Sequence, residues 1–110
     1  MARFEAATTT TEPGRVVVAL TGECDLEGRD ELVAVLHRAV DGAGLVVVDL
    51  AGLTFIDSSG IHGLVTAHHA AQRSGGRVQL VNASGAVATV LEITGVDRLL
   101  GLPTGDASRD

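Results

Sequence analysis

Leu45-Val46-Val47-Val48-Asp49-Leu50, followed after a brief turn by Phe55-Ile56-Asp57-Ser58-Ser59-Gly60-Ile61, decides the fold. A short apolar run rich in β-branched residues reads as a buried strand. Beyond the turn the apolar residues switch to helical spacing, with Ile61, Leu64, Val65 and Ala71 on one face. Ser58 and Ser59 therefore stand at a helix start, where backbone N–H groups lack intrahelical partners and the helix dipole is positive. A hydroxyl there can cap the helix, act as a nucleophile or carry a phosphate. Asp57 can cap the same helix or hold the loop by local hydrogen bonds.

Working toward the N-terminus, Gly42 and Gly44 close an earlier helix whose expected apolar stripe is Leu26, Leu32, Val33, Leu36, Ala39 and Val40. Asp25 stands at its N-cap position, and Glu27, Asp30 and Glu31 place negative charge in its first turns, where the dipole favours it. Arg15 to Thr21 reads as a strand closed by Gly22. Pro13-Gly14 predicts a turn, so the threonine run Thr8–Thr11 is expected to supply part of an edge strand, with a frayed end.

Toward the C-terminus, Ser58 to Arg73 is the predicted helix, stopped by Ser74-Gly75-Gly76. Arg77–Val81 is a strand. A helix from about Ser84 is expected to bury Val87, Val90, Leu91 and Ile93 and to end at Gly95. Val96 to Leu102 fits a short strand or a helical turn, and the polar stretch from Pro103 is expected to be loosely held. Strand and helix alternate, which implies parallel pairs with right-handed crossovers. The expected fold is a single α/β domain with a four- to five-stranded mixed sheet and helices mainly on one face.

Composition excludes several functions. The 110 residues suit one domain with one core. Net charge is −6, the chain has no Lys, and the cations are not clustered, so no nucleic-acid partner is expected. Phe4 and Phe55 are the only aromatics, too few for a base-stacking platform. Cys24 is alone and can form no internal disulfide. No apolar run approaches the roughly 20 residues needed to span a bilayer, and the N-terminus lacks a secretory pattern. A cytoplasmic protein without membrane contact is expected.

The chemistry-bearing residues have ordinary readings too. Without further information a serine at a helix start is first a cap, worth about 1 kcal/mol. His62, Thr66, His69 and Arg73 share a polar helix face, which reads as a solvated or partner-facing surface. His62, His68 and His69 lack the ligand spacing and supporting carboxylate of a zinc site, so no metal and no cofactor are expected. A serine hydrolase needs a Gly-x-Ser-x-Gly turn, and an ATPase needs a Gly-x-x-x-x-Gly-Lys loop; neither occurs, so no enzyme is expected.

Three ordered segments carry a family likeness. Val47-Val48-Asp49-Leu50 with Ile56-Asp57-Ser58-Ser59-Gly60-Ile61 resembles the STAS domain of bacterial anti-sigma factor antagonists, also called anti-anti-sigma factors. Gly22-Glu23-Cys24-Asp25-Leu26 resembles the family's segment before its first helix, and Val90 through Leu100 resembles its C-terminal helix end. The likeness covers residues 15–102. It implies a domain that binds an anti-sigma factor, often a serine kinase, and so frees a sigma factor. It implies phosphorylation at Ser58, reversal by a serine phosphatase, and a recognition surface of Asp25, Asp57, Ser58, Ser59, Gly60 and His62. A STAS module of another signalling or transport assembly is the alternative, and a serine hydrolase the more distant one. Two residues depart from the pattern: His62 replaces a common glycine, and Cys24 a larger aliphatic.

Overall fold

The computed structural model describes residues 3–42 and 44–100. Its elements are β1 (Glu5–Glu12), β2 (Arg15–Cys24), α1 (Leu26–Gly42), β3 (Leu45–Ile56), α2 (Ser58–Arg73), β4 (Arg77–Val81), α3 (Gly85–Thr94) and α4 (Val96–Leu99). The four strands lie in one sheet in chain order, β1-β2-β3-β4. β1 pairs antiparallel with β2 through the predicted Pro13-Gly14 hairpin, while β2, β3 and β4 run parallel. The threonine segment is thus a full edge strand. Val96 onward begins with a helical turn, and the expectations for residues 101–110 and for Met1 and Ala2 lie outside the described residues.

Period-two patterning builds the sheet's core face. Val16 and Val18 of β2 stand in register with Val46 and Val48 of β3, and these with Val78 and Leu80 of β4; Leu20 and Leu50 follow at a register shift, and all are buried. The β2–α1–β3 and β3–α2–β4 crossovers step the same way across the sheet. Right-handed connections then set α1 and α2 over the same face. Leu32, Leu36, Leu64, Ala67, Val87 and Leu91 join the strand residues in one core. Val47 is buried as well, yet it stands apart from that core, on the opposite side with half-buried Val17, Ala19, Gln79 and Val81. Each fully buried leucine contributes about 1.5–3 kcal/mol relative to exposure.

Four expectations are corrected. β3 does not end at Leu50 but continues to Ile56, and β2 continues past Gly22 to Cys24. The segment 51–54, read as a brief turn, holds register shifts between the two strands, which the ladder absorbs without ending. Leu26 does not belong to the α1 stripe: it is 65% exposed in the first turn, beyond the edge of the core. Ile93 is 78% exposed, because two residues past Leu91 is about 200° around the helix.

Candidate functional site

β2 and β3 end side by side. Cys24 pairs with Ile56, and the ladder runs one step further, as the Asp57 N–H donates to the Cys24 carbonyl at 3.1 Å. The Thr54 hydroxyl donates to the Gly22 carbonyl at 3.0 Å and ties the strands together just before they end. Each strand then turns into a helix through an aspartate. Asp25 Oδ1 accepts from the backbone N–H groups of Glu27 and Gly28 at 3.0 and 3.3 Å. Asp57 Oδ1 accepts from Ser59 and Gly60 N–H at 2.9 and 3.2 Å, while its carbonyl accepts from Ile61 N–H at 3.0 Å. The carboxyl ends of two parallel strands therefore present two helix starts, each closed by a carboxylate. Each cap satisfies two otherwise orphan donors and places negative charge at a positive dipole end.

This corrects the ordinary reading of the serines as caps. Asp57 fills the cap position, so Ser58 becomes the first residue of α2 with an exposed side chain, and Ser59 is half-buried. Asp25, Asp57, Ser58, Ser59 and Gly60 come together at this end of the sheet. His62 is exposed one turn further along α2, so it borders the cluster without entering it.

Gly60 has a steric role. A Cβ there would lie 2.6 Å from Ile56 Cγ1 and 2.9 Å from Cys24 Sγ. The helix start can therefore sit directly on the ends of both strands. Cys24 lies underneath, fully buried. Its thiol is pushed up to about 11, first by burial and then by the charges of Asp57 and Asp25. Such a thiol stays protonated and is inert.

Reading the sequence missed four contributors. Gly63 faces α1, where a Cβ would meet Leu32 Cδ2 at 3.1 Å and Val33 Cγ2 at 3.3 Å; the glycine lets the two helices approach. Gly22 adopts φ +87° with the Arg3 carbonyl packed against it, a conformation and a contact that exclude a side chain. Leu26 and Phe55, 65% and 43% exposed, add apolar surface beside Asp25 and Glu23. Only the Gly-rich spacing hinted at these glycines, and no local signal marked the exposed apolar pair. Next to them Arg3, Phe4, Glu23, Asp25, Glu27, Gly28 and Glu31 line a shallow cleft of mainly negative charge.

Among the described residues no group of three His, Cys, Asp or Glu side chains is placed to hold an ion. His69 and Arg73 are exposed, as the polar face predicts, but His68 is buried and its Nδ1 has no hydrogen-bond partner. Burial, with a smaller contribution from His69, pushes its pKa below the ordinary 6.5. No helix among the described residues is long and apolar enough to cross a membrane.

The arrangement defines a class: a small α/β domain with a mixed sheet, helices on one face, and an exposed serine between carboxylate caps at the strand ends. The family described as Mlab, STAS domain matches residues 7–101, and the chain belongs to that family. Solved structures share the fold. An anti-sigma factor antagonist from Mycobacterium paratuberculosis superposes with a TM-score of 0.81 at 24% identity, over 96% of this chain and 90% of that one. The Bacillus cell fate determinant SpoIIAA in its phosphorylated form gives 0.71 at 21% identity, over 94% and 96%. A sulfate transporter family protein from Wolinella succinogenes gives 0.72 at 19%, over 84% and 76%. No curated protein matches the sequence closely enough to count as a relative.

Proposed function

We propose that this domain is an anti-sigma factor antagonist controlled by phosphorylation of Ser58. In its unphosphorylated form it binds an anti-sigma factor that is itself a serine kinase, and a sigma factor is released. The kinase phosphorylates Ser58, the complex dissociates, and a serine phosphatase restores the binding form. The chain acts in the cytoplasm as a binding module and not as an enzyme; it takes no cofactor, nucleic acid or membrane.

The observation that carries this reading is the exposed Ser58 hydroxyl at the first position of α2, left free because Asp57 supplies the cap. A phosphate adds about −1.5 to −2 charge and three strong acceptor oxygens. A helix start tolerates that charge, so no refolding is required. On the surface it adds to the carboxylates of Asp25 and Asp57, and a partner surface matched to two negative charges meets a third and fourth. Binding is lost by repulsion and desolvation at a fixed shape. Asp25, Ser59, Gly60 and His62 complete the recognition surface in this scheme, with Leu26 and Phe55 as its apolar part.

A second reading, a STAS module of a transport assembly, is favoured by the likeness to a transporter-family structure. The two separate in one experiment. The protein is incubated with ATP and a candidate anti-sigma serine kinase, and peptide mass spectrometry locates the phosphate. Titration calorimetry then compares wild type, Ser58→Ala and the phosphoprotein. Phosphate on Ser58, with binding retained by Ser58→Ala and lost in the phosphoprotein, is the expected result. Phosphate on Ser59 while Ser58 is intact overturns the assignment. Binding to a transport protein with no kinase reaction establishes the second reading.

A further inference from the structure

We propose that His62 is the counter-charge of phosphorylated Ser58: once the phosphate is attached, its oxygens and the His62 imidazole form an ion pair within the chain, and this pair sets how much negative charge the modified site presents. The inference rests on the phosphorylation proposed above and names the residue that tempers it. The start of α2 leaves a phosphate on Ser58 short of donors. A phosphate at a helix start normally takes free backbone N–H groups of the first turn. Here the Ser59 and Gly60 N–H groups are already bound to Asp57 Oδ1 at 2.9 and 3.2 Å, and the Ile61 N–H is bound to the Asp57 carbonyl at 3.0 Å. The phosphate has to find a side chain instead.

His62 is placed to answer. It stands four residues after Ser58 in an unbroken helix, and both side chains are exposed. Residues so spaced lie about 6 Å apart along the axis and about 40° apart around it, close enough for their side chains to meet. The acid precedes the base, the better order for such a pair. Within the first two turns of α2, residues 58–65, no other side chain can carry positive charge. Among the described residues His62 has no acidic partner in the unmodified chain.

The other charged groups nearby do not serve. Asp57 and Asp25, the carboxylates at the two neighbouring strand ends, repel the phosphate. His69 shares the exposed face of His62, but it lies eleven residues beyond Ser58, about 16 Å along the helix. Arg29 comes from α1. Gly63 packs against Leu32 and Val33, and the two helices run parallel, so one turn back Arg29 faces Ser59. Its guanidinium is paired with Asp30 at 3.3 Å. Ser58 lies about 140° round α2 from Gly63, on the side away from α1.

The pair makes the strength of the switch depend on pH. The second ionisation of phosphoserine falls at about pH 6, close to the range in which histidine changes charge. Neighbouring opposite charges each favour the ionised form of the other, so the proton moves from the phosphate to the imidazole. The modified site then adds a net charge of about −1 while the imidazole keeps its proton and about −2 once it has lost it. Repulsion of a bound partner therefore grows as pH rises through neutrality, and the unmodified protein has no such dependence at this pair.

The test uses the full chain with phosphoserine installed at position 58 during translation, so that no kinase is needed. Phosphorus NMR follows the second ionisation of the phosphate across the pH range, and circular dichroism confirms that each variant is folded. The phosphate of the wild type should titrate about half a unit lower than that of His62→Gln, the order of effect expected of an i,i+4 ion pair with a doubly charged group. His62→Lys, which restores a cation, should titrate at least as low as the wild type. His69→Gln and Arg29→Gln should follow the wild type. Salt at about 1 M, where the screening length is about 3 Å, should shrink the difference. Coincident titrations of wild type and His62→Gln overturn the proposal. So does loss of the shift in Arg29→Gln with His62 intact, which gives the phosphate to α1. Either result leaves the binding scheme standing, whereas a chain that no anti-sigma kinase modifies at Ser58 refutes that scheme and leaves the pair measurable.

Discussion

Replacing Gly60 with alanine tests whether the start of α2 is fixed by contact with the strand ends. Two effects compete. Alanine is favoured over glycine inside a helix by about 0.5–1 kcal/mol. Against this, the new methyl would lie 2.6 Å from Ile56 Cγ1 and 2.9 Å from Cys24 Sγ. Ordinary carbon contacts lie near 3.5–4.0 Å, so roughly 1 Å of movement is required between buried groups. Ile56 and Cys24 are 2% and 0% exposed and have no open space to enter. Overpacking of this kind costs about 1–3 kcal/mol, which outweighs the helix gain. Gly60→Ala should therefore lower stability by about 1–2 kcal/mol net and shift Tm by about 5–10 °C in a domain of this size. Gly63→Ala supplies the contrast. Its nearest neighbours are the ends of the Leu32 and Val33 side chains at 3.1 and 3.3 Å, which need to yield only a few tenths of an ångström. There crowding and helix propensity nearly cancel, and the change should stay within about 0.5 kcal/mol. Urea denaturation followed by circular dichroism measures both. The double variant Gly60→Ala/Ile56→Ala removes the closest clashing atom and should cost less than the sum of its singles. Wild-type stability for Gly60→Ala, or strict additivity in the double variant, refutes the steric account.

Other expectations rest on the caps and the buried titrating groups. Asp57→Ala should cost about 1 kcal/mol by removing the α2 cap, while Asp57→Asn should keep most of the stability because its oxygen still accepts from Ser59 and Gly60; chemical denaturation of both variants checks this. The Cys24 thiol, at about 11 in the fold against 9.0 as its ordinary value, binds its proton more tightly folded than unfolded, so stability should fall as pH rises from 9.0 toward 11, and Cys24→Ala should flatten that limb. His68 behaves in the opposite sense: its folded pKa lies below 6.5, the unfolded chain takes up the proton first, and stability should fall as pH drops below 6.5. His68→Leu should flatten the acid limb in denaturation curves recorded across that range.

The sequence made the framework readable where local pattern and tertiary role agree. Leu45–Leu50 reads as a strand because its residues are apolar on both faces, and the parallel ladder buries it on both sides. α2 begins and ends where Ser58 and Ser74-Gly75 say it should. The misreadings come from places where long-range contacts decide. The segment after Leu50 reads as a turn, yet pairing of Gly52 with Thr21 and of Leu53 with Gly22 keeps the chain extended. Leu26 has a helical phase with the core stripe but stands ahead of the point where α1 meets anything to pack on. At the site, Asp25 and Asp57 are both legible as caps. That the two caps are neighbours is not legible, because they lie 32 positions apart in the sequence and only the β2–β3 register brings them together.

That register has a consequence in time. The cluster at the strand ends is bolted to the two innermost strands, through the Asp57 to Cys24 hydrogen bond and the seating of Gly60 on Ile56. A group attached to Ser58 is therefore mounted on the central strands, the kind of element that opens late in hydrogen exchange. No hinge or loop has to relax before its charge is felt outside. Any signal written at this position is legible to a partner as soon as the bond is made and vanishes as soon as it is cut. On the proposed function, the tempo of the response would belong to the enzymes that make and cut that bond, and to how fast the partner leaves.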